Sequence, residues 1–234
     1  MPTCLHIGIV ACSAEGAALC YRTICAEGAE LLGPHAHPEV SIHSGSLADY
    51  VKCLDAKDLS GVADLMLSSA RKLAAAGADF LICPDNTIHE AFSLVAHSSP
   101  LPWLHIAEVV AAEAVALGYR RLGILGTRWL VSSEVYPDKL RARGIEWVRS
   151  GDADRDEIGR LIMEELVYGV FRPETVDRFQ QAIRNLQRRG CDAVILGCTE
   201  IPLIISDANS ALPTLDSTRL LARAALKRAV QHTQ

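Results

Sequence analysis

The sequence has no surplus of positive charge: 23 Lys and Arg stand against 28 Asp and Glu, for a formal net charge of −5, and the cations are dispersed along the chain. Phosphate backbones are held through clustered cations, so nucleic acid is not an expected partner. No apolar run reaches the roughly eighteen residues of a membrane-spanning helix, so no membrane is expected either. Met1-Pro2-Thr3-Cys4 opens no basic segment followed by a long apolar one, and the expected location is cytoplasmic. Cys-x-x-Cys pairs are missing too. The eight cysteines, Cys4, Cys12, Cys20, Cys25, Cys53, Cys83, Cys191 and Cys198, are expected to be reduced and mostly buried. His35-Ala36-His37 lies in a Pro-flanked loop with no further ligand at a recognisable spacing, so no metal is expected.

What is present is ample apolar material, half of 234 residues, enough for one large domain or two small ones. Short apolar runs near 5–11, 39–43, 79–83, 101–105, 121–126, 145–148, 192–197 and 212–215 alternate with longer stretches of helical periodicity. That alternation predicts an α/β fold with mostly parallel sheets. It restarts near residue 118, which predicts two three-layer lobes, 1–105 and 106–210. A carboxy-terminal helix over 217–231 is expected to pack back on the first lobe.

The two halves repeat each other. Gly77-Ala78-Asp79-Phe80-Leu81-Ile82-Cys83-Pro84-Asp85 matches Gly190-Cys191-Asp192-Ala193-Val194-Ile195-Leu196-Gly197-Cys198. Upstream of each lies a helical pattern, Val62, Leu65, Met66, Ser69 and Leu73 in one half and Val176, Phe179, Ile183 and Leu186 in the other. The opening runs around Gly8 and Gly123 precede Gly77 and Gly190 by 69 and 67 residues. Self-similarity over so long a period predicts an internal duplication, two pseudo-symmetric lobes with an active site in the cleft between them.

Asp85 and Cys198 each fall eight residues past the opening glycine. A buried Cys at a strand end is commonly a small apolar filler, and an Asp before Asn86-Thr87 is commonly a turn or cap residue. The shared offset favours a functional reading, because filler and turn residues have no reason to occupy equivalent places. One acid/base group per half is the arrangement that removes a proton from one face of a carbon and returns it to the other. Thr87 and Glu90 have capping-box spacing, and Pro202 suits a first helical turn. Each group is therefore expected just before a helix amino terminus, where free N–H groups favour anions, a more acidic thiol and a substrate carboxylate. Ser13 and Thr127 stand at the ends of the opening strands and join Asn86, Thr87, Thr199, Glu200 and His89 as candidate substrate-binding residues.

These residues resemble the aspartate/glutamate racemase superfamily, which also holds hydantoin racemases, maleate isomerases and arylmalonate decarboxylases. The resemblance is carried by Gly197-Cys198-Thr199-Glu200-Ile201-Pro202-Leu203, by Pro84, Asn86, Thr87 and His89, by Ser13-Ala14-Glu15, by Gly126-Thr127, and by Glu164-Glu165-Leu166 with Gly169. It implies two pseudo-symmetric lobes, commonly a homodimer, and two cysteines working without cofactor or metal. The chain departs from that pattern at Asp85, which stands where the first cysteine falls; Cys83 lies two residues early and is not expected to substitute. Val167 stands where amino-dicarboxylate racemases carry a Lys, and Ser44-Gly45-Ser46 holds no Arg.

The resulting expectation is a PLP-independent isomerase that racemises or epimerises a small amino acid, with Asp85 and Cys198 as catalytic groups on opposite faces of the stereocentre. Ordinary values of about 3.9 and 8.5 give an ionised Asp and a protonated Cys at neutral pH. Two rivals stand beside it. One is an enzyme of the same superfamily that uses a single Cys, such as an arylmalonate decarboxylase or isomerase; the other is a non-catalytic protein that binds small carboxylates.

Overall fold

In a computed structural model, which describes residues 4–231, the chain divides into two compact units, one running up to Ile106 and resuming at Thr218, the other spanning Ala107–Ser217. The first unit holds β1 (Ile7–Ala11), α1 (Ala14–Leu32), β2 (Val40–Ser44), α2 (Leu47–Asp55), α3 (Leu59–Ala75), β3 (Phe80–Ile82), a 3₁₀ turn over Thr87–Ala91, α4 (Phe92–Ala96) and β4 (Trp103–Leu104). From α5 (Ile106–Ala116) the chain enters the second unit: β5 (Arg121–Leu125), α6 (Arg128–Ser132), α7 (Val135–Arg141), β6 (Glu146–Arg149), α8 (Asp152–Glu164), a turn over Leu166–Tyr168, α9 (Pro173–Arg188), β7 (Ala193–Leu196), a turn over Ile201–Leu203 and β8 (Thr214–Asp216). The last helix, α10 (Ser217–Gln231), returns to the first unit, where Ala229 O accepts from Leu5 N at 3.0 Å and Arg228 lies over the Phe80 ring.

Every one of the eight apolar runs overlaps a strand, and every strand pairing among the described residues is parallel. The sheet orders are β2-β1-β3-β4 and β6-β5-β7-β8, the same arrangement twice. The central strands β1, β3 and β7 are buried at every position. Strands covered by helices on both faces read as continuous apolar runs rather than alternating ones, which is why they stand out in the sequence.

The repeat extends to individual bonds. Asp79 Oδ2 accepts from His6 N at 2.7 Å, while Asp79 N donates to His6 O at 2.9 Å. In the second unit Asp192 Oδ1 accepts from Arg121 N at 3.1 Å, and Asp192 N donates to Arg121 O at 2.9 Å. Both aspartates therefore tie the start of one strand to the start of its neighbour. The preceding helices α3 and α9 both end on a glycine at positive φ, Gly77 (91°) and Gly190 (82°), a conformation that side-chain-bearing residues rarely adopt.

Candidate active site

In open parallel sheets the carboxyl ends of the strands carry the ligand-binding groups. Two residues past the end of β1 and of β5 stands a hydroxyl residue. Ser13 caps α1, its Oγ accepting from Gly16 N at 3.3 Å, and Thr127 caps α6, its Oγ1 accepting from Leu130 N at 3.2 Å. Both are buried, and both side-chain oxygens serve orphan N–H groups of their own helices.

Beyond β3 the chain runs through Cys83, Pro84, Asp85 and Asn86. Cys83 is fully buried, and burial pushes its thiol well above the ordinary range, with the charge of Asp85 adding to the effect. Asp85 is half-buried, and its Oδ1 accepts from Ile88 N at 3.1 Å. This corrects the capping-box expectation. Thr87 is the first residue of the 3₁₀ turn rather than its cap, Glu90 lies on the exposed side, and Asp85 is the residue whose side chain closes the turn.

His89, a buried residue of this turn, bonds to the main chain. Its Nδ1 is 2.6 Å from Asp85 O, and Ile106 N donates to its Nε2 at 3.5 Å. With Ile106 N donating to Nε2, Nδ1 is the ring nitrogen that donates to the Asp85 carbonyl. The ring stacks on Phe92, with centroids 5.6 Å apart, and meets His105 edge-on at 4.7 Å. His89 thus fixes the backbone of Asp85. Phe92 and His105 were not singled out from the sequence: His105 follows β4, sixteen residues after His89, and no short spacing joins them. Asn86 and Thr87 are buried in the same turn.

Beyond β7, Gly197 brings the chain close to its neighbours: a Cβ there would stand 2.5 Å from Leu130 Cδ2 and 2.8 Å from Leu125 O. Cys198 follows, buried, and its Sγ donates to Glu200 Oε2 at 2.9 Å; Thr199 Oγ1 donates to the same oxygen at 3.2 Å. Glu200 is itself only 2% exposed, and its other oxygen, Oε1, is buried with no hydrogen-bond partner. The following turn is three residues of 3₁₀ helix with Pro202 in its first positions. Neither Asp85 nor Cys198 therefore faces the start of a long α-helix, and the dipole invoked for them is confined to single turns. The immediate surroundings of Cys198 are instead side chains: a thiol whose hydrogen points at a carboxylate, in a segment shielded from water.

Farther along the second unit, Glu165 is held by Thr175 Oγ1, which donates to its Oε2, and by the Arg172 guanidinium, 3.1 Å from its Oε1. Val167 packs against the apolar core of this unit. Among the described residues no helix is long and apolar enough to cross a membrane.

Comparison with known proteins follows the same lines. A broad-specificity amino-acid racemase of Bacillus subtilis is 24% identical over 161 residues, 68% of this chain and 68% of that protein. A candidate Asp/Glu racemase from Yersinia pestis has a structure that superposes with a TM-score of 0.86 at 29% identity, over 97% of this chain and all (100%) of that one. An aspartate racemase homologue from Pyrococcus horikoshii gives 0.81 at 26% identity, over 96% and 98%. The family described as Asp/Glu/Hydantoin racemase matches residues 8–225, and the chain belongs to that family.

Proposed function

We propose that this protein is a PLP-independent racemase or epimerase of a small amino acid, with Asp85 and Cys198 exchanging protons at the α carbon from opposite faces. The observation that carries the reading is positional. The two groups follow corresponding strands, β3 and β7, of two sheets with the same strand order, at the same offset from the glycines that end α3 and α9. Cys83 is no competitor for the role of Asp85, since a thiol raised by burial supplies little thiolate at neutral pH.

In the proposed step the Asp85 carboxylate takes the α proton as the C–H bond breaks. The electron pair moves onto the substrate carboxylate as an enolate, and Cys198 delivers its thiol proton to the other face as the pair returns to carbon. Asp85 leaves the turnover protonated and Cys198 leaves it as thiolate; the reverse enantiomer uses the pair in the opposite sense. Glu200, which accepts the Cys198 thiol hydrogen, orients that proton. Main-chain N–H groups around Asn86 and Thr199 stabilise the enolate-like charge, commonly the largest contribution in such chemistry. The names of the similar racemases fit this reading. A homodimer and a cytoplasmic location belong to the same proposal.

The test is proton exchange at the α carbon in heavy water, without added pyridoxal phosphate, across a panel of amino acids. Deuterium incorporation with loss of optical activity is expected for at least one; no exchange with any of them overturns the reading. Light scattering checks the dimer.

A further inference from the structure

Glu200 carries an oxygen that the fold leaves unanswered. Its Oε2 collects two donors, the Cys198 thiol and the Thr199 hydroxyl, while Oε1 is shut off from solvent and accepts nothing, on a residue that is 98% buried by its 2% exposure. Buried carboxylate oxygens are normally paired, because leaving one unmet costs the desolvation of a charged group. Nothing nearby in sequence makes up the deficit. The connections that leave the strands of this unit, 126–127, 150–151 and 197–200, hold no lysine or arginine. The first cation beyond them is Arg128, whose guanidinium lies 4.7 Å from the Trp129 ring centroid and whose Cβ lies on the α8 side, 3.4 Å from a Cβ placed on Gly159.

A buried carboxylate with a vacant acceptor, two residues from the thiol, suits a ligand group that brings its own positive charge and its own hydrogens. Resting on the racemase reading, we propose that Glu200 Oε1 accepts the α-ammonium group of the substrate, which restricts the site to amino acids with a free amine. Substrates whose nitrogen is acylated or locked in a ring amide, and carboxylates without nitrogen, bring no cation to this oxygen and offer it at most a neutral N–H or O–H donor. The same carboxylate then does two things: Oε2 holds the thiol that protonates carbon, and Oε1 holds the group attached to that carbon. Placing the ammonium group there sets the distance between sulfur and the α carbon.

The experiment compares calorimetric binding of an amino acid with binding of its 2-hydroxy counterpart, alanine against lactate and phenylalanine against phenyllactate, in the parent protein and in Glu200→Gln. The parent is expected to prefer the amino acid by about tenfold or more, in keeping with a charge-assisted hydrogen bond. Glu200→Gln is expected to bring the ratio near one by weakening the amino acid alone. A purely structural role would weaken both ligands together. Glu200→Asp keeps the charge but sets it back by one methylene; it is expected to retain part of the preference, and it serves if the Gln variant does not fold. An unchanged ratio in both variants overturns the proposal, as does a parent protein that binds the hydroxy acids equally well or binds neither class. α-Deuterium exchange, measured alongside, separates the two ideas: exchange with an unchanged ratio sinks the ammonium site and leaves the racemase standing. A shifted ratio without exchange does the reverse.

Discussion

Leu73 in the first unit and Leu186 in the second occupy the same place. Each lies four residues before the glycine that ends its helix, and each offers its carbonyl to the residue just past that glycine, Ala78 N at 3.0 Å and Cys191 N at 3.2 Å. Each also presses on a glycine of the central strand: a Cβ on Gly8 would stand 3.3 Å from Leu73 Cβ, and one on Gly123 would stand 3.2 Å from Leu186 Cβ. Helix and strand approach so closely because neither glycine has a side chain.

Gly8→Ala and Gly123→Ala should therefore both destabilise, by about 1–3 kcal/mol, the usual cost of overpacking a close-packed core. The added methyls would also meet Leu81 Cδ2 at 2.6 Å and Leu186 Cδ1 at 2.7 Å, atoms that can swing away, but the leucine Cβ atoms cannot. Urea unfolding of each variant measures the cost. A loss below about 0.5 kcal/mol at both sites would mean that the helices have room to retreat.

Asp85 offers a way to separate chemistry from folding. Its Oδ1 accepts from Ile88 N, a bond that an Asn side chain makes equally well. Asp85→Asn should leave stability within about 0.5 kcal/mol of the parent, whereas Asp85→Ala loses the bond and about 1 kcal/mol. Under the proposed mechanism both variants lack the base and should lower α-proton exchange by about 10²- to 10⁴-fold. Exchange rates for Asp85→Asn close to those of the parent would show that the side chain only closes its turn.

Much of this was legible in the sequence, for physical reasons. Parallel strands buried on both faces appear as apolar runs bounded by glycine, so all eight could be found. The duplication preserved the Gly-x-Asp spacing because Gly77 and Gly190 need positive φ and Asp79 and Asp192 bond across to the neighbouring strand. The side-chain partners were not legible. Thr87 and Glu90 have the letters of a capping box, but the turn winds as 3₁₀ with Asn86 at its N-cap, and it is Asp85 Oδ1 that accepts from Ile88 N. His89 is held through Ile106, seventeen residues away, which only the β4–α5 connection brings near. Glu200 reaches Cys198, its neighbour but one, through the tight winding of a turn that spacing alone does not specify.

The cysteines should differ sharply in reactivity. Cys83 is raised by burial first and by the Asp85 charge second, so at any given pH it holds less thiolate than an ordinary cysteine, and its reaction should begin at higher pH. Cys4, Cys25 and Cys53 are only partly buried. With iodoacetamide under native conditions, peptide mapping should find label on those three first and on Cys83 only after unfolding. Early labelling of Cys83 near pH 7 would contradict its enclosure.

His43 provides a test in the first unit that does not depend on turnover. Its Nδ1 is 2.9 Å from Ser69 Oγ, and Lys72 Nζ is 3.0 Å from its Nε2, a contact that requires the unprotonated ring. Burial first, and the Lys72 charge second, hold its pKa below the ordinary value of about 6.5. A histidine whose proton affinity falls on folding binds fewer protons folded than unfolded. Its effect on stability is therefore absent above the ordinary value and grows unfavourable as pH falls from there through the folded value. Lys72→Met removes the second cause and leaves the first, so the ring should titrate at higher pH than in the parent yet remain below an ordinary histidine. Following the His43 ring protons by NMR against pH reads the shift directly. A midpoint that stays put or moves down in Lys72→Met would mean that the lysine charge does not act on this ring.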